Sequence, residues 1–491
     1  MAREDAPLLM ESGSADKLVA EQKNTTARFF DDAIDTLYLA APIFISRVSF
    51  TGMKTTDTAL LGHVSGEALS ASALSDLWTM CTGVFIRGGA LSILVGQAVG
   101  ADNHYLGLIY LRISYLVLGF ISVGVMLSWL YTEQIWILLG ESQEVAQDAG
   151  YYSFSFIFSI PAQVAFSQMS QFLSAQRILH PEVRTSMIAL CANLLLGLIF
   201  VLGIPIPGFQ GLGFKACPVV TVTVVWIQAI VLWIFFRDIL KKDPVFSANT
   251  RTRNCISSMM DGITLERLRT FSALYFPTAL SLASDFWRMG VIGAVAATIG
   301  EREVGLFNAS YRILWITLIF VGALSSASGV KIGLALGKGR SSAAKQAGLV
   351  GISLAIVCLI ILAVLVYYNT SLIGSVFTTN ESYLDLFEEC RLPFTATLFF
   401  MNLAVGIEAI PLSMGQTSTV FYCGVIASWM GQVPGVLLLT KYWRNDLYAL
   451  YTGIATGYCV LVFLYAHLVL NSDWKKYSEL ARKRSEVSGG N

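Results

Sequence analysis

Long apolar stretches separated by short polar breaks recur through nearly the whole chain, and they constrain its fold more than any other feature. A helix that crosses a membrane needs about 20 mostly apolar residues. Only 13% of the residues are charged, so water-soluble domains of ordinary composition could not bury this much apolar surface. We therefore predict an all-α polytopic membrane protein, because a helix satisfies its own backbone hydrogen bonds in lipid.

The apolar stretches predict twelve transmembrane helices in two sets of six. The first six are expected at residues 36–60, 71–98, 106–131, 146–175, 184–204 and 212–236. The second six are expected at residues 268–298, 304–335, 347–368, 390–414, 418–439 and 447–470. The longest polar break then divides the chain into a tail (1–35), an amino-terminal lobe (36–236), a linker (237–267), a carboxyl-terminal lobe (268–470) and a second tail (471–491).

Similar residues recur in the two predicted lobes at nearly one offset. The pairs are Pro42 and Pro277 (235 apart), GQAVG at 96–100 and GLALG at 333–337 (237 apart), and Gln176 and Gln416 (240 apart). This repeat predicts two pseudo-symmetric lobes related by an axis along the membrane normal, with the working cavity between them. The alternative is that glycine-rich helix ends resemble each other by composition alone.

The distribution of lysine and arginine predicts the orientation. With the N-terminus inside, the cytoplasmic segments hold 21 of these residues and the outer loops hold five, as the positive-inside rule requires. Both termini are then cytoplasmic, and the sequons at Asn369 and Asn380 lie outside, where glycosylation could occur. Residues 4–9 look like an acidic dileucine signal, which favours a vacuolar or lysosomal membrane, with the plasma membrane as the alternative.

Several segments, in order and spacing, resemble the multidrug and toxic compound extrusion (MATE) transporters. They are LAAPIFISRVSFTGMKTTDTALLGHVSGEALSASAL (39–74), ALSILVGQAVGADN (90–103), FLSAQRILHP (172–181), GLGFKACPVVTVTVVW (211–226), FPTALSLASDFW (276–287) and SSASGVKIGLALGKGRSSAAKQA (325–347). The resemblance covers residues 35 to 470. It implies a twelve-helix, two-lobed exporter, driven by protons or sodium, that expels organic cations, drugs, or plant-type secondary metabolites and acids.

The chain also departs from this family's pattern at the polar positions. The glutamate expected in the seventh span is Asp285, and Gly197 stands where many prokaryotic members have aspartate, although Asn193 matches. Met401 stands where an animal-type glutamate would align, and Glu408 follows seven residues later on roughly the same helical face. These departures leave the coupling ion and the substrate class open.

Ionisable residues inside spans are functional candidates, because each costs about 2.5 to 3.5 kcal/mol on insertion scales. The candidates are Arg47, Lys54, Asp57, Asp76, Arg87, Asp285, Arg288, Arg312 and Glu408. We predict that Asp285, Glu408 and Asp57 couple a proton or cation to transport. The alternative is a structural ion pair, since Lys54 and Asp57, like Asp285 and Arg288, are three residues apart on a helix.

Aromatic and polar side chains within the spans could line a cavity for an organic solute. Aromatic rings attract organic cations through their faces, although most aromatics in such chains serve packing or the interfacial belts. The predicted substrate-binding residues are Asn193, Trp287, Arg288, Tyr311 and Trp78. The predicted hinges are Pro42, Pro277 and Pro411, because a proline inside a helix frees a carbonyl and permits a bend.

These features predict a secondary active efflux transporter that exchanges small organic solutes for protons or sodium ions. We expect no cofactor and no metal site, since the cysteines and histidines lack metal-ligand spacing. A formal net charge of zero argues against nucleic-acid binding. We expect the bilayer and a small organic solute as the only partners of a functional monomer.

Two other functions stay open at this stage. A lipid-linked sugar flippase of the same superfamily would favour a strongly cationic cavity, and the spans carry many cations (Arg47, Lys54, Arg87, Arg288, Arg312). A polytopic receptor is less consistent with the two-lobe repeat. A membrane enzyme is disfavoured, because we find no cluster of catalytic side chains such as histidine with carboxylates.

Overall fold

The structure is a computed structural model that describes residues 12–242, 262–375 and 380–486. Within these ranges helix is the only regular secondary structure. The dileucine-like residues 4–9 and most of the predicted linker, residues 243–261, lie outside the described residues.

The described part of the first half contains nine α-helices. They are α1 (Ser12–Gly62), α2 (Gly66–Gly83), α3 (Ala90–Gly100), α4 (His104–Leu130), α5 (Thr132–Leu138), α6 (Gln143–Ile157), α7 (Ile160–Ala175), α8 (His180–Phe200) and α9 (Ala216–Lys242). The described part of the second half contains ten. They are α10 (Leu265–Ile299), α11 (Glu301–Gly337), α12 (Ser341–Tyr368), α13 (Thr370–Ser375), α14 (Glu381–Glu389), α15 (Arg391–Met414), α16 (Thr417–Val425), α17 (Val433–Tyr442), α18 (Leu447–Leu470) and α19 (Trp474–Glu486).

Eleven of the predicted spans are long and apolar enough to cross a membrane as described helices. The predicted fourth span, residues 146–175, is divided between α6 and α7. Pro161 explains the division, because its ring clashes with the carbonyl four residues earlier, at Ile157, and it has no N–H to donate. The helix therefore ends at Ile157 and starts again at Ile160.

The predicted second span, residues 71–98, is also interrupted. After α2 ends, Val84–Ile86 form a 3₁₀ turn and α3 begins only at Ala90. Tyr275 satisfies two of the freed backbone groups: its hydroxyl donates to the Phe85 carbonyl (2.6 Å) and accepts from the Gly88 amide (3.4 Å). Irregular backbone at membrane depth is tolerated where protein groups satisfy its hydrogen bonds or where it lines a cavity. Both conditions hold here, since Tyr275 supplies hydrogen bonds and the break lines a cavity.

Two large hydrophobic clusters form the core. One runs from Leu60 to Ala279 and the other from Ile292 to Tyr465. Helix α10 belongs to both, because its residues 271–279 pack in the first cluster and its residues 292–296 in the second. The first cluster thus includes residues that the sequence assigned to the second lobe, and α10 joins the two halves, with Pro277 close to the crossing.

The last helix, α19, packs across both halves of the bundle. Its Arg484 donates from Nη1 to Gln97 Oε1 (3.2 Å) in α3, and its Ser478 hydroxyl donates to the Leu336 carbonyl (3.2 Å) in α11. Ala481 is fully buried on the same face. The sequence predicted only a tail at residues 471–491, whereas one face of this helix is buried against the bundle.

Candidate functional site

A cavity of about 450 Å³ with charged walls lies where the second half of the chain meets the first. Only α1 and the break before α3 contribute to it from the first half; α10, α11, α15 and later helices supply the rest. We call it the central cavity. A second cavity of about 420 Å³, the adjoining cavity, shares Arg47, Thr278 and Glu408 with it. Together they offer a volume typical of sites for drug-sized ligands.

Asp285 lies on the wall of the central cavity beside Arg288, one turn later on α10. Arg288 Nη2 is 3.2 Å from Asp285 Oδ1, with the arginine 3% exposed and the aspartate 50% exposed. Two hydrogen bonds hold the guanidinium in place: Nη1 donates to Ser428 Oγ (2.8 Å), and Nη2 donates to Tyr458 OH (2.9 Å). Ser428 comes from a π-helical turn, Ile426–Gln432, which re-aims side chains in the predicted eleventh span. The carboxylate is therefore held by a rigid cation while it faces open space.

Glu408 lines both cavities from α15. Pro411 lies inside the same helix, so the carbonyl of Ile407 loses its usual amide partner next to this carboxylate. Among the described residues, none comes within ion-pair or hydrogen-bond distance of the Glu408 carboxylate. It is thus the free acid of the site, in contrast to Asp285.

Asp57 occupies a separate place inside the first half. The residue is 4% exposed, and its carboxylate accepts hydrogen bonds from Asn193 Nδ2 (3.1 Å) on α8 and Thr221 Oγ1 (2.9 Å) on α9. Lys54, which the sequence offered as its partner, pairs instead with Asp76 on α2 (2.7 Å). Asp57, Lys54 and Thr221 border a third cavity of about 350 Å³, the Asp57 cavity, which Arg87 also lines.

The predicted substrate-binding residues are distributed unevenly. Tyr311 and Arg288 line the central cavity, with Tyr311 packed edge-on against Trp315. Asn193 is fully buried on Asp57. Trp287 is 46% exposed and Trp78 donates its indole N–H to the Ser128 carbonyl (3.1 Å), and neither lines the three cavities described above.

Several lining residues were not singled out as site residues from the sequence. Glu182 borders the adjoining cavity and accepts a hydrogen bond from the Ser46 hydroxyl (2.8 Å). Thr221 and Tyr458 carry no distinctive sequence signal, since polar side chains in apolar spans are common. Arg47 and Arg87 were noted only as charges at membrane depth. That depth was the one signal that could have placed them in the site.

The sequence profile of the MatE family matches residues 42–199 and 277–437, which together make up more than half of the chain. The chain belongs to the MATE family of membrane transporters. The two matched segments of this MATE transporter begin at Pro42 and Pro277, the pair 235 residues apart. Because the family consists of transporters, the prediction that the chain is not an enzyme is confirmed.

Known relatives agree over nearly the full length. The chain is 24% identical to multidrug and toxin extrusion protein 1 of Danio rerio, covering 93% of this chain and 75% of that protein. It is 25% identical to Protein DETOXIFICATION 17 of Arabidopsis thaliana, covering 97% and 98%. These likenesses, with the long apolar helices, establish an integral multi-pass membrane protein.

Solved structures share the fold. The eukaryotic MATE transporter AtDTX14 superposes with a TM-score of 0.82 at 20% identity, covering 93% of this chain and 99% of that one. A Vibrio cholerae MATE transporter, VcmN, gives 0.79 at 13% identity, covering 91% and 99%. The predicted all-α, twelve-helix fold is therefore confirmed.

Proposed function

We propose that this MATE transporter exports small organic solutes in exchange for protons by alternating access, with sodium as the alternative coupling ion. One observation carries the proposal: Asp285 and Glu408 lie on the walls of a single cavity between the two halves. A cavity placed between two packed bundles is where rocking of one bundle against the other would change access. Exchange of a proton or a solute at the carboxylates of this cavity can therefore be coupled to the rocking of the bundles.

The coupling follows from charge. An ionised carboxylate holds a cationic group of the solute, and proton uptake removes that charge and weakens the hold. Proton and solute therefore bias the same two-state equilibrium in opposite directions, which is the thermodynamic requirement for exchange. Asp57 lies in the first half and accepts hydrogen bonds from Asn193 and Thr221. We propose that it supports proton or cation coupling.

The distribution of charge favours efflux over lipid-linked sugar transport. The flippase hypothesis depended on the many cations in the spans. Two of these cations are in ion pairs, because Lys54 pairs with Asp76 and Arg288 pairs with Asp285. Arg312 is exposed and lines none of the three cavities described above. The central and adjoining cavities together carry three arginines and three carboxylates, which is not a strongly cationic site.

Purified protein in liposomes tests the coupling. We expect Asp285→Asn and Glu408→Gln each to slow solute exchange under an imposed pH gradient by tenfold or more, roughly the contribution of one charge-assisted contact. Asp385→Asn is the matched control, since that carboxylate is exposed on α14. Wild-type exchange by Asp285→Asn would refute the assignment, and exchange driven by a sodium gradient alone would replace the proton with sodium.

We also propose that both termini are cytoplasmic, in a vacuolar, lysosomal or plasma membrane, and that the monomer is the functional unit. Asn369 and Asn380 are exposed around the end of α12 and the start of α14. Glycosidase treatment of protein from a eukaryotic host should shift its mobility, and Asn369→Gln with Asn380→Gln should remove the shift. Glycosylation of an asparagine introduced after Glu486 would contradict this orientation.

A further inference from the structure

A fourth cavity lies away from the candidate transport site, between α4, α10 and the last helix, α19. It measures about 160 Å³ and shares no lining residue with the three cavities described above. Its walls come from Tyr110 on α4, from the first turns of α10 and from the second half of α19. We infer that this cavity, which we call the α19 cavity, binds a phosphate monoester group.

The walls of the α19 cavity carry an excess of positive charge. Three lining residues are cations (Arg267, Lys483 and Arg484) and one is an acid (Glu266), so the net charge of the lining is +2. A phosphate monoester carries a charge of about −1.5 to −2 at neutral pH and has three oxygens that accept hydrogen bonds. Its charge therefore balances that of the walls. The volume suits a small group of this kind, since sites for drug-sized ligands measure about 300–1,000 Å³.

Tyr110 adds a donor that the described protein groups leave unused. The residue is 3% exposed and lines the cavity, and no described residue forms a hydrogen bond with its hydroxyl. The hydroxyl interacts electrostatically with Arg267, Arg484 and Glu266, so it lies among the charged groups of the cavity. A buried hydroxyl without a hydrogen bond is unfavourable. A phosphate oxygen in the cavity would accept the hydrogen bond that this hydroxyl can donate.

Arg484 is a cation without a neutralising carboxylate. Its Nη1 donates to Gln97 Oε1 (3.2 Å), which fixes one side of the guanidinium. The groups that act on it electrostatically are the hydroxyls of Tyr110 and Tyr477 rather than acids. A guanidinium has five N–H donors arranged to match phosphate oxygens, so donors beyond Nη1 are available to a ligand.

The other two cations come from different helices. Arg267 lies in the first turn of α10, where its Nη1 donates to the carbonyl of Gly262. Lys483 is exposed on α19. Within residues 12–242, 262–375 and 380–486, neither is in an ion pair with a carboxylate. A phosphate that contacts both would connect α19 to α10, and ligand binding would stabilise the described arrangement by mass action.

The position of the α19 cavity indicates where such a group could come from. In the orientation proposed above, the start of α10 and the helix after the last span are both cytoplasmic. Basic pockets on that side of membrane proteins bind the phosphate head groups of anionic lipids. A soluble phosphate monoester presents the same group without acyl chains. The shared chemistry is the phosphate monoester, and the two sources can be separated by experiment.

Three phosphate compounds provide the test with the full-length protein in detergent. Dioctanoyl phosphatidic acid is a lipid phosphate monoester, dioctanoyl phosphatidylglycerol is a diester with a single charge, and glycerol 3-phosphate is a soluble monoester. We would measure dissociation constants of the two lipids by native mass spectrometry. The expected result is about tenfold tighter binding of phosphatidic acid, the usual scale for one charge-assisted contact.

Competition then identifies the source. Displacement of phosphatidic acid by glycerol 3-phosphate would assign the cavity to soluble phosphate monoesters as well as to lipids. Binding of phosphatidic acid without such displacement would assign it to a lipid head group. Equal binding of the two lipids, or binding of neither, would overturn the inference.

Variants assign the binding to the α19 cavity. Tyr110→Phe and Lys483→Gln should each weaken phosphatidic acid binding about tenfold, and Lys483→Arg should restore most of it. Lys476→Gln is the matched control, because Lys476 is an exposed lysine of the same helix that does not line the cavity. Unfolding temperatures without ligand would show that each variant is folded. Wild-type binding by both cavity variants, or an equal loss in Lys476→Gln and Lys483→Gln, would refute the site.

Discussion

Gly100 and Gly337 lie against each other where α3 meets α11, so closely that a Cβ on Gly337 would stand 2.9 Å from the Cα of Gly100. They are the last residues of the repeated segments GQAVG and GLALG. Four residues earlier, Gly96 and Gly333 face each other and line the adjoining cavity. The sequence repeat therefore supplies one pair of surfaces through which the halves touch beside the adjoining cavity.

This contact predicts the effect of one methyl group. In Gly337→Ala the Cβ meets backbone atoms of α3, which no rotamer change can relieve, so the helices must separate. We expect a loss of about 1–3 kcal/mol in stability, the usual cost of overpacking. Thermal unfolding followed by size-exclusion chromatography would measure it. Gly124→Ala in α4 is the control, since nothing lies within 4 Å of that position; equal behaviour of the two variants would contradict the prediction.

Asp57 allows structural and coupling roles to be separated. Asp57→Ala removes the acceptor for Asn193, a cost of about 1–3 kcal/mol for a buried donor left unsatisfied. Asp57→Asn keeps the volume and one acceptor, so we expect its stability to stay near wild type while solute exchange under a pH gradient falls. Exchange by Asp57→Asn at the wild-type rate would mean that Asp57 serves only to hold α1, α8 and α9 together.

The contact of α19 with α3 predicts a difference between two arginines on one helix. Arg484 is half-buried and donates a hydrogen bond to Gln97, and burial lowers the pKa of its guanidinium. Arg482 is exposed and pairs with the exposed Glu486. Arg484→Gln should reduce the free energy of unfolding by about 1 kcal/mol. Arg482→Gln should leave it nearly unchanged, because exposed ion pairs contribute little. Denaturant titration in detergent would compare them, and an equal loss would refute the bridging role of α19.

Tyr275 stabilises the break between α2 and α3. Tyr275→Phe removes the donor to the Phe85 carbonyl and the acceptor for the Gly88 amide, so both groups lose a partner at membrane depth. We expect a loss of about 1–3 kcal/mol in stability. Tyr422→Phe, at a ring that is 63% exposed, is the matched control. Identical unfolding temperatures for the two variants would show that the hydrogen bonds of Tyr275 do not stabilise this break.

Helix positions could be predicted from local sequence because every span needs about 20 mostly apolar residues to cross the lipid. Predicted spans 390–414 and 447–470 agree with α15 and α18 to within a residue. The two interruptions were missed, although Pro161 and the Arg87-Gly88-Gly89 sequence were visible signals. Apolar composition averaged over a window of about 20 residues conceals breaks as short as these, of two and six residues.

The sequence by itself determined that this chain crosses a membrane many times, that similar residues recur at nearly one offset, and which charges lie within the apolar stretches. Only the tertiary structure decided the partners: Lys54 with Asp76, Asp57 with Asn193 and Thr221, and Glu408 with none among the described residues. The reason is physical. Lipid requires each spanning segment to be apolar, and the residues of one segment are consecutive in the sequence. Pairing of charges depends instead on which helices pack together, and α10 and α19 bring together residues hundreds of positions apart.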